Sequence, residues 1–242
     1  MSSLQRLYVS EDLCANAAVI MAEAQAHYIR NVMRMQTGDA ILLFNGRDGE
    51  WRGVLEIINK KQVQVVLQAQ TRPQIPASDI WLLVAPVKRA RLDYLAQKAT
   101  EMGVSRLVFM LTHYTDNKHV KLDRIRANTI EAAEQCGLLN IPAITAPLDI
   151  AEALALCETR PLIFCDEAQA EREADSINWN SIATPCAVVV GPEGGFSESE
   201  RDLLYAQPAI FGLRLGRRIL RSDTAVVAAL TLVQNYIGDW HE

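Results

Sequence analysis

The sequence predicts a small β-rich unit joined to a larger α/β domain with a largely parallel sheet. Three observations predict it. Short strand signals crowd residues 1–72. Residues 71–78 then carry Pro73 and Pro76 with no periodicity, so 73–78 is the linker. From residue 79 to 242, strand-like runs alternate with helical stretches of ten or more residues, the pattern of strands joined through helices. A chain of 242 residues accommodates two domains, and 50% hydrophobic with 22% charged residues excludes a disordered one.

In the first unit, Ile41, Leu42, Leu43 and Phe44 form an apolar run closed by Asn45-Gly46, and residues 51–58 and 63–67 follow with partial alternation, together suggesting a small barrel. Residues 23–35 read as one helix, with Ile29, Val32 and Met33 on one side and His27, Arg30 and Arg34 on another. Beyond the linker, residues 80–84, 107–111, 162–165 and 187–190 read as buried strands. Leu92, Leu95, Ala96 and Ala99 give the helix at 89–102 an apolar face, and Gly103 stops it. The helix at 123–139 ends near Gly137, before Pro142. Val226, Leu230, Val233 and Ile237 recur at helical spacing in the last helix, with Ser222 or Asp223 expected to cap its start.

The formal charge is −5, which by itself disfavours a polyanionic partner. The acidity is local, however. Residues 1–72 hold eight basic against seven acidic side chains, 79–147 hold nine against seven, and 148–242 hold seven against fifteen, so nucleic acid remains open to the first two segments. No apolar run approaches the roughly 18 residues that cross a bilayer, and Glu11 and Asp12 sit where a signal peptide needs apolar residues, so a cytoplasmic location is expected. Cys14, Cys136, Cys157, Cys165 and Cys186 show neither metal nor disulfide spacing and read as reduced, mostly buried thiols. His113, His119 and Asp116 read as a solvated loop, and no metal is expected.

Two segments carry chemistry. Residues 187–200 run from a buried-type strand through Gly191-Pro192-Glu193-Gly194-Gly195-Phe196 into Ser197-x-x-Glu200, a capping box that opens a helix. Glycines there let a ligand approach the backbone, and bare amides at a helix start suit a polar group. Residues 213–225 place four arginines around Leu215, Ile219 and Leu220, apolar enough to wall a flat ring beside a guanidinium. Dinucleotide, P-loop and nucleophile-elbow fingerprints are all missing.

Gly-Pro-Glu-Gly-Gly-Phe at 191–196, followed by Leu-Gly-x-Arg-Ile-Leu-Arg-x-Asp-Thr-Ala at 215–225, resembles the SPOUT-class methyltransferases of the RsmE type, which act on uridine N3 in small-subunit (16S) ribosomal RNA. Further matches are residues 97–104, 131–136 and the stretch from His27 through Arg34 to Gly38-Asp39, so the resemblance covers nearly the whole chain.

The resemblance implies a PUA-like barrel over 1–72 and a SPOUT domain over 79–242 whose C-terminal segment is threaded as a trefoil knot. It also implies a homodimer that binds S-adenosylmethionine in the knot, through Gly191, Pro192, Glu193, Gly194, Gly195, Leu215, Gly216, Arg218, Ile219 and Leu220. Gly194 is expected at positive φ. Arg221 is the expected stabiliser of charge on the uracil oxygens, and Glu193 either accepts the N3 proton or anchors the loop. Arg6, His27, Arg30 and Arg34 on the barrel, with Lys88, Arg89 and Arg91 at the seam, are the expected RNA contacts. Two departures stand out: Asp223 replaces the family's usual glutamate, and Leu138-Leu139 follow Glu-Gln-Cys-Gly where many members have arginine. A SPOUT ribose 2′-O-methyltransferase and a non-catalytic assembly factor that binds RNA are the competing readings.

Overall fold

A computed structural model describes residues 4–59, 62–166 and 177–241. The chain forms two compact units, Met1–Pro76 with Ala133–Ile141, and Ala77–Ala132 with Pro142–Glu242. The passage between them falls at 76–77, and the stretch 133–141, which the sequence reading placed wholly in the second domain, packs with the first.

The first unit is a five-stranded half-barrel in the order β1 (Arg6–Tyr8), β3 (Ala40–Phe44), β4 (Glu50–Ile57), β5 (Val63–Arg72), β2 (Ala18–Ile20). Its core takes alternate residues, Ile41 and Leu43 from β3 and Val63, Val65 and Leu67 from β5, with Leu7, Val19, Leu55 and Ile29. β5 runs to Arg72, past the predicted end at 67, because Arg72 still pairs with Glu50 although its last five residues are exposed and carry no apolar alternation. The predicted single helix is instead a short α1 (Glu23–His27) followed by a π-helical turn over Tyr28–Val32, and Arg34 ends it at φ 56°.

Within this unit the end of α3 (Leu122–Cys136) is gripped by Arg6. Its guanidinium donates to the carbonyls of Ala133 (2.8 Å), Glu134 (3.1 Å) and Leu138 (2.9 Å), its Nε pairs with Glu50 at 2.6 Å, and it lies 4.5 Å over the Phe44 ring. The last carbonyls of a helix lack partners of their own, and a cation satisfies them. This corrects the assignment of Arg6 to RNA: the side chain is consumed inside the unit. The same packing accounts for the two leucines, since Leu139 is buried with Phe44 and Ala133 and Leu138 covers them.

The second unit is built on a six-stranded, all-parallel sheet, in the order β11 (Ile210–Leu213), β9 (Leu162–Cys165), β10 (Cys186–Val190), β6 (Ile80–Val84), β7 (Arg106–Leu111), β8 (Ala143–Asp149). Strands buried on both faces read as continuous apolar runs, and β10 is buried throughout. Val188 and Val190 point into one core with α2 (Arg89–Glu101) and α6 (Ser222–Ile237), while Ala187 and Val189 point into the other with α4 (Ile150–Cys157) and α5 (Glu198–Tyr205). The capping box is present: Ser197 Oγ accepts from Glu200 N, and Glu200 Oε2 accepts from Ser197 N at 2.8 Å. Neither Ser222 nor Asp223 is the N-cap of α6. Arg221 holds that position, without a side-chain cap bond, because Asp223 turns to another partner described below.

Candidate cofactor site at the strand ends

β9, β10 and β11 lie side by side in the sheet, and the chain leaves each of them into the same cavity. Cys165, Val190 and Leu213, their last residues, line it. Ligands of open parallel sheets bind beyond the carboxyl ends of strands, so the topology alone selects this place. The cavity measures about 380 Å3, within the roughly 300–1,000 Å3 of small-molecule pockets.

Its walls come from both segments that the sequence singles out. Gly191, Pro192 and Gly195 line it from the glycine loop, with Phe196 behind them, and Leu215, Gly216, Arg218, Ile219 and Leu220 line it from the second segment. Gly191 leaves room for the Phe196 ring, since a Cβ there would come within 2.6 Å of it, and Phe196 meets Phe164 edge-on at 5.1 Å. The left-handed residue of the loop is Gly195 (φ 68°), not Gly194. Gly194 is outside the lining and lies against Tyr114, whose Cβ a side chain would meet at 3.0 Å.

Glu193 and Arg221 are not among the lining residues either. Arg221 is exposed, between Leu220 and Ser222, which both line the cavity. Glu193 is paired with Arg91, and this guanidinium also forks onto Asp223, from Nε at 3.1 Å and from its terminal nitrogen at 2.8 Å. Arg91 thus joins α2, the glycine loop and the first turn of α6, which corrects its assignment to RNA. The Arg91 hydrogen bonds hold the Asp223 carboxyl below its ordinary value, and Asp223 raises the guanidinium in turn.

Of the other expected RNA contacts, His27, Arg34, Lys88 and Arg89 are exposed and Arg30 is half-buried. Lys88 and Arg89 stand at the start of α2. The cysteines are less uniformly buried than expected: Cys14 and Cys136 are exposed, whereas burial pushes Cys165 and Cys186 up to about 12 and Cys157 up to about 11. Among the described residues, no group of three His, Cys, Asp or Glu side chains is placed to hold a metal ion.

Among the lining residues to which the sequence reading gives no ligand role are Asp166, Arg201 and Ser222. Ser222 is 3% exposed and its buried Oγ has no hydrogen-bond partner, whereas the buried Nε of Arg201 makes no hydrogen bond but is ion-paired with Asp166 Oδ1 at 3.4 Å. Signals existed for each. Asp166 directly follows a strand's carboxyl end, Arg201 and Tyr205 share a face of α5 at i, i+4, and Ser222 sits inside the second motif. Ser222 Oγ is thus a buried donor without a hydrogen bond on a residue that lines a largely apolar cavity.

Residues 73–234 match the family described as RNA methyltransferase domain. The chain belongs to that family. Residues 22–68 match a second description, RNA methyltransferase PUA domain. Ribosomal RNA small subunit methyltransferase E of Rickettsia conorii is 29% identical over 230 residues, covering 95% of this chain and 94% of that one. Its counterpart in Buchnera aphidicola of Schizaphis graminum is 29% identical over 250 residues, 98% of each chain. Among solved structures, the Neisseria gonorrhoeae methyltransferase E bound to S-adenosylmethionine superimposes with a TM-score of 0.85 at 26% identity, covering 98% of this chain and 100% of that one. A Legionella pneumophila protein in complex with the same cofactor gives 0.84 at 26% identity, covering 98% and 99%. The PUA-like first unit and the SPOUT-type α/β domain expected from the motifs are thus both found.

Proposed function

We propose that this protein transfers the methyl group of S-adenosylmethionine to N3 of a uridine in small-subunit (16S) ribosomal RNA, in the cytoplasm and as a homodimer whose C-terminal segment forms a trefoil knot. The carrying observation is the cavity beyond β9, β10 and β11, walled by both motifs of a chain whose family consists of RNA methyltransferase domains. Its residues fit the cofactor: apolar walls suit an adenine ring, and the buried Ser222 Oγ has no hydrogen-bond partner within the chain.

When bound, S-adenosylmethionine supplies an activated methyl on a sulfonium, and the chain has to hold it, exclude water and align the acceptor. Gly191, Pro192, Gly195, Leu215, Gly216, Arg218, Ile219 and Leu220 are the residues assigned to holding it. Gly194 supports the loop against Tyr114. Uridine N3 carries a proton, which leaves to water as the methyl is transferred, and is a poor nucleophile until that loss moves electron density onto the ring oxygens. Arg221, at the edge of the lining, is assigned to stabilising that charge. Glu193 is assigned to anchoring the loop, because Arg91 already occupies its carboxylate. The reaction calls on no metal, and no helix among the described residues is long and apolar enough to cross a membrane. Exposed His27, Arg34, Lys88 and Arg89, with Arg30, are assigned to RNA phosphates.

The test is transfer of labelled methyl from S-adenosylmethionine to small ribosomal subunits of a strain lacking the protein. Label in the small-subunit RNA is expected. Cofactor binding without transfer to RNA would favour a non-catalytic assembly factor and contradict the proposal.

A further inference from the structure

Between the carboxyl end of β7 and the start of α3, residues 112–121 form a turn that fixes an aromatic pair in solvent. Thr112 and Thr115 are buried and lock it. Thr112 N donates to Thr115 Oγ1 at 2.9 Å, Thr115 N donates to the Thr112 carbonyl at 3.1 Å, and the two hydroxyls lie 2.9 Å apart. His113 N donates to Glu200 Oε1 at 2.6 Å, and the other oxygen of that buried carboxylate accepts from Ser197 N, so the turn is tied to the segment that follows the glycine loop. Further on, the Asn117 side chain donates to the Val87 carbonyl at 3.0 Å. What these bonds hold is exposed. The Tyr114 ring stands edge-on to His113 at 4.7 Å, its Cβ abuts Gly194, and 48% of the residue faces solvent.

Single exposed apolar side chains are ordinary, but a ring held this firmly in water is a prepared surface, and its face gains when something flat covers it. Its surroundings say what does. Gly194 belongs to the loop whose Gly191, Pro192 and Gly195 line the cofactor cavity, so a group on the ring lies beside that cavity; Tyr114 is not itself a lining residue, so the group is not the one that enters. Lys118 and Lys121 are exposed further along the turn, and Asp116 is the only acid in 112–121, a balance that favours a polyanion. Aromatic faces beside cations are how proteins hold unpaired nucleotides. Resting on the methyl-transfer reading above, we infer that Tyr114 stacks a base of the RNA substrate that flanks the target uridine, with Lys118 and Lys121 on phosphates of the same strand. A uridine drawn to the cofactor is unstacked from its neighbours, and a ring that takes over one of those stacks offsets part of that cost and sets the register in which the strand arrives. Tyr114 is therefore a positioning residue, touching neither the cofactor nor N3.

The test is steady-state methylation of small ribosomal subunits from a strain lacking the protein, with full-length variants. Tyr114→Leu keeps an apolar side chain beside Gly194 and removes the ring; it is expected to raise KM for the subunits about tenfold with kcat within about threefold. Tyr114→Phe, which keeps the ring, should restore KM to within about twofold of wild type. Cofactor affinity from calorimetry and the thermal midpoint should match wild type in both. An unchanged KM in Tyr114→Leu would overturn the inference, pointing to a contact that any apolar side chain makes, such as one with a protein surface. So would a Tyr114→Phe variant as impaired as Tyr114→Leu, which would assign the effect to the hydroxyl. A loss matched by weaker cofactor binding or a lower thermal midpoint would make Tyr114 a brace for the glycine loop and overturn it too. Absence of methyl transfer by the wild type would overturn the methyl-transfer reading itself, and the inference with it.

Discussion

Arg91→Met removes one guanidinium and with it the only junction seen between Glu193 of the glycine loop and Asp223 of α6 among the described residues, while keeping an apolar stem against α2. The Arg91 side chain is 24% exposed and that of Asp223 16%, so their two-pronged contact is partly shielded from water. Charge-assisted bonds of that kind contribute about 2 kcal/mol net. Glu193 is 48% exposed, and its share is discounted to less than about 1 kcal/mol. The expected loss is therefore about 2–3 kcal/mol at about pH 7, read from urea unfolding. Its pH dependence follows from Asp223, whose carboxyl Arg91 holds below 3.8 in the folded chain. A depressed carboxyl stabilises the fold above its unfolded value and loses that contribution as pH falls through the folded value. The gap between wild type and variant should thus stay constant from about pH 7 to about pH 5 and close progressively below about pH 4. Asp223→Asn should reproduce most of the loss, and the double variant should add little to it. A gap that persists undiminished in acid, or losses that simply add, would refute the clamp.

Arg221→Ala is expected to lower the single-turnover methylation rate by at least about 100-fold with little change in cofactor affinity, and Arg221→Lys to recover only part of it; a rate loss matched by lost binding would reject the charge-stabilising role. Gly195→Val forces a β-branched residue into a left-handed conformation within the lining and should weaken the cofactor at least about tenfold. Gly194→Val, which presses on Tyr114, should weaken it less, and the reverse order in calorimetry would contradict the loop geometry. Arg6→Met should cost about 3 kcal/mol in urea unfolding, because Glu50 is left buried and poorly paired; an unchanged midpoint with weakened RNA binding would restore Arg6 to the RNA surface.

Features set by neighbouring residues were legible in the sequence. The apolar run of β3, the alternation that opens β5, the continuous apolar run of β10 and the Ser197-x-x-Glu200 box are read within a few positions, and each is found at its expected place, with β5 continuing five residues further. β8 and β11 were not legible, since β8 carries Pro147 and no clean alternation and β11 is four residues long with Gly212 inside it. The arginines show the deeper reason. In sequence, Arg6 and Arg91 look like Arg89, a cation on an amphipathic segment. Their fates depend on Glu50, 44 residues from Arg6, and Asp223, 132 residues from Arg91, and only the folded chain brings those carboxylates within reach. The same holds for Asp166 and Arg201, which become one feature only because β9 neighbours β10 and the chain leaving β10 returns through α5.

The most direct test of the central claim is nucleoside mass spectrometry of small-subunit RNA after incubation of subunits from a strain lacking the protein with this protein and S-adenosylmethionine. The account predicts one new 3-methyluridine, at a single position and absent with Arg221→Ala. A methyl on a ribose 2′-oxygen, or no new methylated nucleoside while the cofactor binds, would contradict it.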